Sequence, residues 1–158
     1  MNNQPNVNHM KSMSYKKFGI TMLISFFIMY IVMFLNIDKA EHYHTSLTRI
    51  YMALLMVAPM AIVMMLMMGR MYPDKRKNTL IMIAGALIFV LVLIGLRTQT
   101  PVGDVQYMKA MIPHHSSAIL TSKNADLQTA QVKKLSKDII EAQEREIREM
   151  KDLLDKTE

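Results

Sequence analysis

The chain has 158 residues, 51% of them hydrophobic, a formal charge of +6 and no cysteine. That length suits one modest domain, but the apolar share points to a membrane class rather than a water-soluble globule, and the missing thiols exclude disulfide staples and thiolate metal sites. Between residues 101 and 158 nine Lys or Arg stand against ten Asp or Glu, so the excess charge flanks the apolar region and a nucleic-acid partner is not expected.

Residues 1–17 form a short amino-terminal segment in which Lys11, Lys16 and Lys17 precede the first apolar run. His9, Met10 and Met13 in this segment are potential metal donors, but nothing in the spacing fixes their geometry. Residues 18–37, FGITMLISFFIMYIVMFLNI, carry no charge, and a helix of about 20 residues crosses the roughly 30 Å hydrocarbon core. The run is longer than the apolar part of a signal peptide, about 7 to 15 residues, and no small-x-small cleavage site follows it, so it reads as a retained anchor. Two further runs, residues 50–68 and 80–96, complete a three-helix transmembrane region over residues 18–97. Arg70, Lys75, Arg76 and Lys77 lie between the second and third runs. Basic residues favour the cytoplasmic side, which puts the amino terminus inside and everything after Arg97 outside; Arg49 and Arg97 weaken this bias without reversing it.

Span two repeats methionine at steps of three or four, at Met52, Met56, Met60, Met64, Met67 and Met71, and span one carries Met22, Met29 and Met33. The plain reading is packing, since Met is an adaptable filler, and no span holds the internal acidic, Asn or His residue expected of many ion carriers. The alternative is a thioether-lined route for a soft ion, with His42 and His44 of the loop EHYH as accessory metal ligands at its outer end.

After the breaker-rich stretch TQTPVG, Asp104 is placed to cap a helix running to about Asn124, and a turn at ADLQT leads into a second helix from about Ala130 to Leu154. Residues 98–158 therefore read as an extracytoplasmic antiparallel hairpin, with surface pairs Glu141–Arg145 and Glu144–Arg148 at the supporting spacing. So small a unit encloses little core by itself, and a homo-oligomer in which two hairpins complete a four-helix bundle is expected. At about 100° per residue, Met108, Met111, His115, Ile119 and Ser122 share one face of the first helix, with His114 on its flank. Val132, Leu135, Ile139, Ala142, Gln143, Glu146, Met150 and Leu153 share a stripe on the second. A carboxylate in such a stripe needs a proton, a hydrogen-bond partner or a cation. Pro113 falls on the opposite, solvent side and bends the helix just before the histidines. The candidate metal site is thus His115, His114, Glu146, Met111 and Met150, with Met108 and Gln143 at its edge. Imidazole with thioether suits copper better than Mg or Ca, although methionine packing and a simple His115–Glu146 hydrogen bond explain the same pattern without metal.

The run MKAMIPHHSSAIL followed by LSKDIIEAQEREIREM resembles the family catalogued as domain of unknown function 305. Its pattern joins Met-Ile-x-His-His-x-x-Ala-Ile to Ile-Ile-x-x-Gln-x-x-Glu-Ile-x-x-Met. Met111, Ile112, His114, His115, Ala118 and Ile119 match the first segment, and Ile139, Ile140, Gln143, Glu146, Ile147 and Met150 the second. The resemblance implies a ferritin-like helical unit in a bacterial exported or membrane protein, in some members associated with copper handling. Two departures stand out: a methionine common just after the Ala-Ile pair is replaced by Leu120 or Thr121, and a single hairpin is present. The fold expected is all-α, three transmembrane helices followed by the outer hairpin. The function expected is copper binding or handling in a bacterial cytoplasmic membrane, with the lipid bilayer and a copper transporter or copper-handling protein as partners. A ferritin-like metal oxidase is the enzymatic alternative, weakened because no Glu precedes His114 or His115 at the Glu-x-x-His spacing. The third reading is a membrane scaffold or regulator of a transporter.

Overall fold

The computed structural model describes residues 14–157, and all its regular structure is helical. Five α-helices follow one another: α1 (Tyr15–Val32), α2 (Leu47–Met68), α3 (Lys75–Thr98), α4 (Asp104–Asn124) and α5 (Ala130–Thr157). Single 3-10 turns lie at Ala40–His42 and Gly69–Met71. His9, Met10, Lys11 and Met13 lie outside the described residues.

Three helices are long and apolar enough to cross a membrane, Tyr15–Val32, Leu47–Met71 and Lys75–Thr98. The third exceeds its apolar run at both ends because Asp74 caps it, accepting the Arg76 and Lys77 N–H groups at 3.0 and 3.1 Å, and polar residues on either flank remain good helix formers. The first ends earlier than residue 37. Phe34 turns back beneath Arg49, whose guanidinium carbon lies 4.1 Å from the ring centroid, and against Tyr43 at 4.2 Å between centroids. Arg49 also donates to the Met33 carbonyl at 2.5 Å, so this cation is occupied by the end of α1.

α2 is the middle element, packing on α3 along one side and α1 on the other. The α2–α3 approach is close at Gly85, where a Cβ would stand 3.0 Å from Ile62 Cγ1 and 3.3 Å from the Ala58 carbonyl oxygen. At the end formed by the start of α1 and α3, Phe18, Met65 and Tyr72 are buried together. The Tyr15 hydroxyl there lies 2.8 Å from Asn78 Oδ1 and accepts the Asp74 N–H at 3.2 Å. Large side chains such as Ile20, Phe27, Leu66, Leu87 and Leu91 point away from the bundle, as apolar residues do when the surrounding solvent is lipid.

The opposite end carries the hairpin. The Leu47 N–H donates to Gln106 Oε1 at 3.0 Å, Thr48 Oγ1 donates to Gln99 Oε1 at 3.2 Å, and the Tyr51 hydroxyl donates to the Thr100 carbonyl at 2.5 Å. The base of α4 is thereby tied to the first turns of α2. Asp104 is the first residue of α4 rather than its cap; Gly103 occupies the cap position and makes no side-chain bond. An acid in the first turn still favours the helix electrostatically.

Candidate functional site

α4 is buried on two sides, which alters several expectations. Toward α5 it presents Met108 and Ile119, packed with Ile147, Leu154 and the half-buried Ile140 and Met150. Its other side meets the loop between α1 and α2 through Ser116, which is fully buried. The Asp38 N–H donates to Ser116 Oγ at 2.7 Å, and His42 Nδ1 shares a 2.8 Å hydrogen bond with the same oxygen. Asn36 Nδ2 donates to Ser117 Oγ at 2.7 Å. Pro113 is fully buried, not on a solvent side, and lies one turn before Ser116, which the docked loop engages.

The stripe on α5 is rotated as well. Ile147 and Leu154 are the buried residues of this helix, while Val132, Leu135 and Leu153 are 45%, 57% and 46% exposed. The rotation brings the charged flank of α5 onto the loop, where Lys151 lies 3.2 Å from Glu41 and Lys123 of α4 bridges Asp38 at 2.9 Å and Glu144 at 3.7 Å. Lys137, not Arg145, lies within reach of Glu141, at 4.0 Å, and Lys123 is the partner of Glu144 in place of Arg148.

His115 and Glu146 meet across the hairpin, with 2.9 Å between Nε2 and Oε2. The imidazole is buried and the carboxylate about half exposed. His115 Nδ1 lies 2.8 Å from the Met111 carbonyl oxygen. A carbonyl only accepts, so Nδ1 carries a proton and donates it there, which fixes the tautomer with Nε2 toward Glu146. That contact is favourable when a second proton or a metal ion lies between the two groups. To an ion placed there His115 and Glu146 would supply one imidazole and one carboxylate. One turn before Glu146, Gln143 Oε1 is buried with no hydrogen-bond partner, an orphaned oxygen that calls for an explanation.

The expected ligands divide into two groups. Met108 and Met150 belong to the apolar cluster between α4 and α5. Met111 gives His115 its carbonyl, whereas its side chain lines a cavity of about 280 Å³ facing the membrane helices, together with His114, Met33, Met52 and Arg49. The two imidazoles are edge to face, 5.9 Å between centroids, but His114 is exposed and turned to that second cavity. Of the accessory pair, His42 is engaged in docking, with Nε2 3.5 Å from Glu41; burial, chiefly, and the Lys151 charge hold its imidazole below the ordinary histidine range. His44 is half-buried in the same loop. Among the described residues no three His, Cys, Asp or Glu side chains converge as a metal-binding group.

Ser116, Met33 and Met52 are the positions that the helical wheel of the tail could not supply. The signal for Ser116 is its small size beside the histidines, which permits close approach of another chain segment. Met33 and Met52 are legible as members of the methionine faces, but their meeting with α4 depends on the docking of the tail.

A profile of the family described as "Domain of unknown function (DUF305)" matches residues 92–157. The chain is also 37% identical over 107 residues to "Uncharacterized protein L153" of Acanthamoeba polyphaga mimivirus, covering 66% of this chain and 68% of the relative. That aligned length exceeds the span of the domain, so the similarity extends into the apolar helices that precede it. No solved structure matches. The paired histidine and glutamine–glutamate motifs, the hairpin that joins them and these two similarities together place the chain in the domain of unknown function 305 family.

Proposed function

We propose that the chain is a membrane-anchored copper-binding protein that holds the ion beside His115 and Glu146 on a tail outside a bacterial cytoplasmic membrane. The observation that carries this reading is the arrangement of His115. Its Nδ1 is tied to a backbone carbonyl and its Nε2 is presented 2.9 Å from a carboxylate, as outer-shell partners commonly orient a metal-ligating imidazole. The unpartnered Gln143 oxygen, and the thioethers of Met108 and Met150 in the apolar cluster between the same two helices, would complete a mixed donor set that suits copper. The bacterial setting rests on the family resemblance, and the orientation on Lys16, Lys17, Arg70, Lys75, Arg76 and Lys77, which gather at the bundle end remote from the tail. Binding and delivery to a copper-handling partner stand ahead of oxidase chemistry, because His115 and Glu146 bring one imidazole and one carboxylate where a di-metal centre uses several carboxylates.

The exposed Val132, Leu135 and Leu153 on α5, with Tyr107 on α4, offer an apolar surface for a second hairpin. The proposed unit is therefore a homodimer whose tails make a four-helix bundle. A purely structural role competes, and one observation favours it: with a second proton on His115, its contact with Glu146 is a complete ion pair needing no metal. Equilibrium copper titration of the folded, detergent-solubilised chain separates the two. His115→Ala and Glu146→Gln should each weaken binding by tenfold or more while membrane insertion persists. Affinities equal to wild type would remove this pair as the site, and absence of copper binding in every form would establish the structural role.

A further inference from the structure

We propose a second soft-cation site where α1, α2 and α4 meet, built from Met33, Met52, Met111 and His114. The four side chains line one cavity of about 280 Å³ at the end of the bundle that carries the tail. Met33 caps α1, Met52 lies in the second turn of α2, and Met111 and His114 are one turn apart on α4. The site therefore exists only when the tail is docked on the membrane helices. The inference shares with the function above the choice of a soft ion, but its residues are separate from His115 and Glu146.

The chemistry of the lining selects the ligand. Three thioethers and an imidazole are neutral, soft or borderline donors, and no carboxylate lines the cavity. The other polar side chains are engaged: Asn36 with Ser117 within the lining, and Thr48 with Gln99 outside it. Arg49 adds a positive charge at the edge, held toward Phe34 and the Met33 carbonyl. A divalent ion would meet twice the repulsion from that guanidinium that a monovalent ion meets, with no anion to offset it. The cavity thus fits a soft monovalent ion, Cu(I), and disfavours hard divalent ions, which need oxygen ligands. Such an ion would link both membrane helices to α4, so that binding fastens the tail to its anchor.

The test uses the full chain in detergent, loaded anaerobically with Cu(I) against a competing chromophoric chelator and examined by X-ray absorption at the copper edge. Wild type should show sulfur neighbours. The double variant Met33→Leu/Met52→Leu, close in volume and tolerated by packing, should lose one Cu(I) equivalent, or bind it at least tenfold more weakly, together with the sulfur neighbours of that equivalent. The pair His115→Ala/Glu146→Gln should keep that equivalent and those neighbours. Unchanged stoichiometry and sulfur scattering in the double leucine variant would overturn the proposal, as would wild type without sulfur neighbours. Equal loss in both pairs of variants would reveal one shared site and overturn the separation. Circular dichroism matching wild type confirms that each variant compared is folded.

Discussion

Ser116 shows how a single small residue organises the docked tail. Its hydroxyl serves both the Asp38 N–H and His42 Nδ1 while fully buried, so Ser116→Val leaves two polar groups facing a methyl group. The expected loss is about 1–3 kcal/mol, read as a lower melting temperature in detergent; an unchanged melt would mean that the tail does not depend on this contact. The same cluster sets a pH dependence. His42 faces Ser116, Glu41, Asp38, Lys39 and Lys151, and burial with the nearby lysines holds its pKa down against the pull of the acids. The released or unfolded loop then takes up a proton first, so stability is full above the ordinary histidine value of about 6.5 and declines as pH falls through it toward the lower folded value. Melting temperatures should drop between about pH 7.5 and about pH 5.5, and less so in His42→Gln; equal slopes would assign the effect to other groups. His115 and Glu146 were legible in the sequence because the helical period fixes inward phase on each helix of a hairpin. The side chains of Met111 and His114 were not, since their destination is a cavity completed by residues about eighty and sixty positions away, beyond the reach of a local period.

At the scale of the elements, hydropathy gave the number and order of the helices long and apolar enough to cross a membrane, and breakers gave the tail hairpin to within a few residues. The rotation of α5 was hidden because an amphipathic wheel assumes one buried face per helix, whereas the hairpin answers to two surfaces, its own partner helix and the charged loop of the anchor. Helix contact within the membrane depends on small residues, and Gly85 is where α2 and α3 come nearest to conflict with any side chain. Gly85→Leu should separate the pair and cost about 1–3 kcal/mol. Gly19→Leu is the matched control, because a Cβ at that position meets nothing within 4 Å. Thermal unfolding of both variants should show a lowered transition for the first and little change for the second; equal transitions would contradict the close-packing account. On the outward side of α5, replacing Leu135 and Leu153 together with Glu should convert a dimer to a monomer without loss of helix. Mass measurement in detergent decides this, and a wild-type chain that is monomeric with a folded tail would end the four-helix-bundle reading.

The whole molecule is an apolar three-helix region with a polar hairpin locked to one end by hydrogen bonds and ion pairs from the loop that joins α1 to α2. Protease applied to sealed cells should remove a carboxyl-terminal tag, and complete protection until the membrane is disrupted would reverse the proposed orientation. The length and apolarity of the spans made the membrane region legible; the docking of the tail was not, because it is written in isolated polar residues such as Asn36, Asp38 and Ser117 that match no periodic pattern. The claim that joins anchor, hairpin and motif is that copper lies between the two tail helices. Diffraction from crystals of the full chain grown with copper, recorded on both sides of the copper absorption edge, tests it most directly. The account predicts an anomalous peak within bonding distance of His115 Nε2 and the Glu146 carboxylate. A direct His115–Glu146 contact with no peak beside it, in crystals whose anomalous signal shows copper bound elsewhere on the chain, would contradict it.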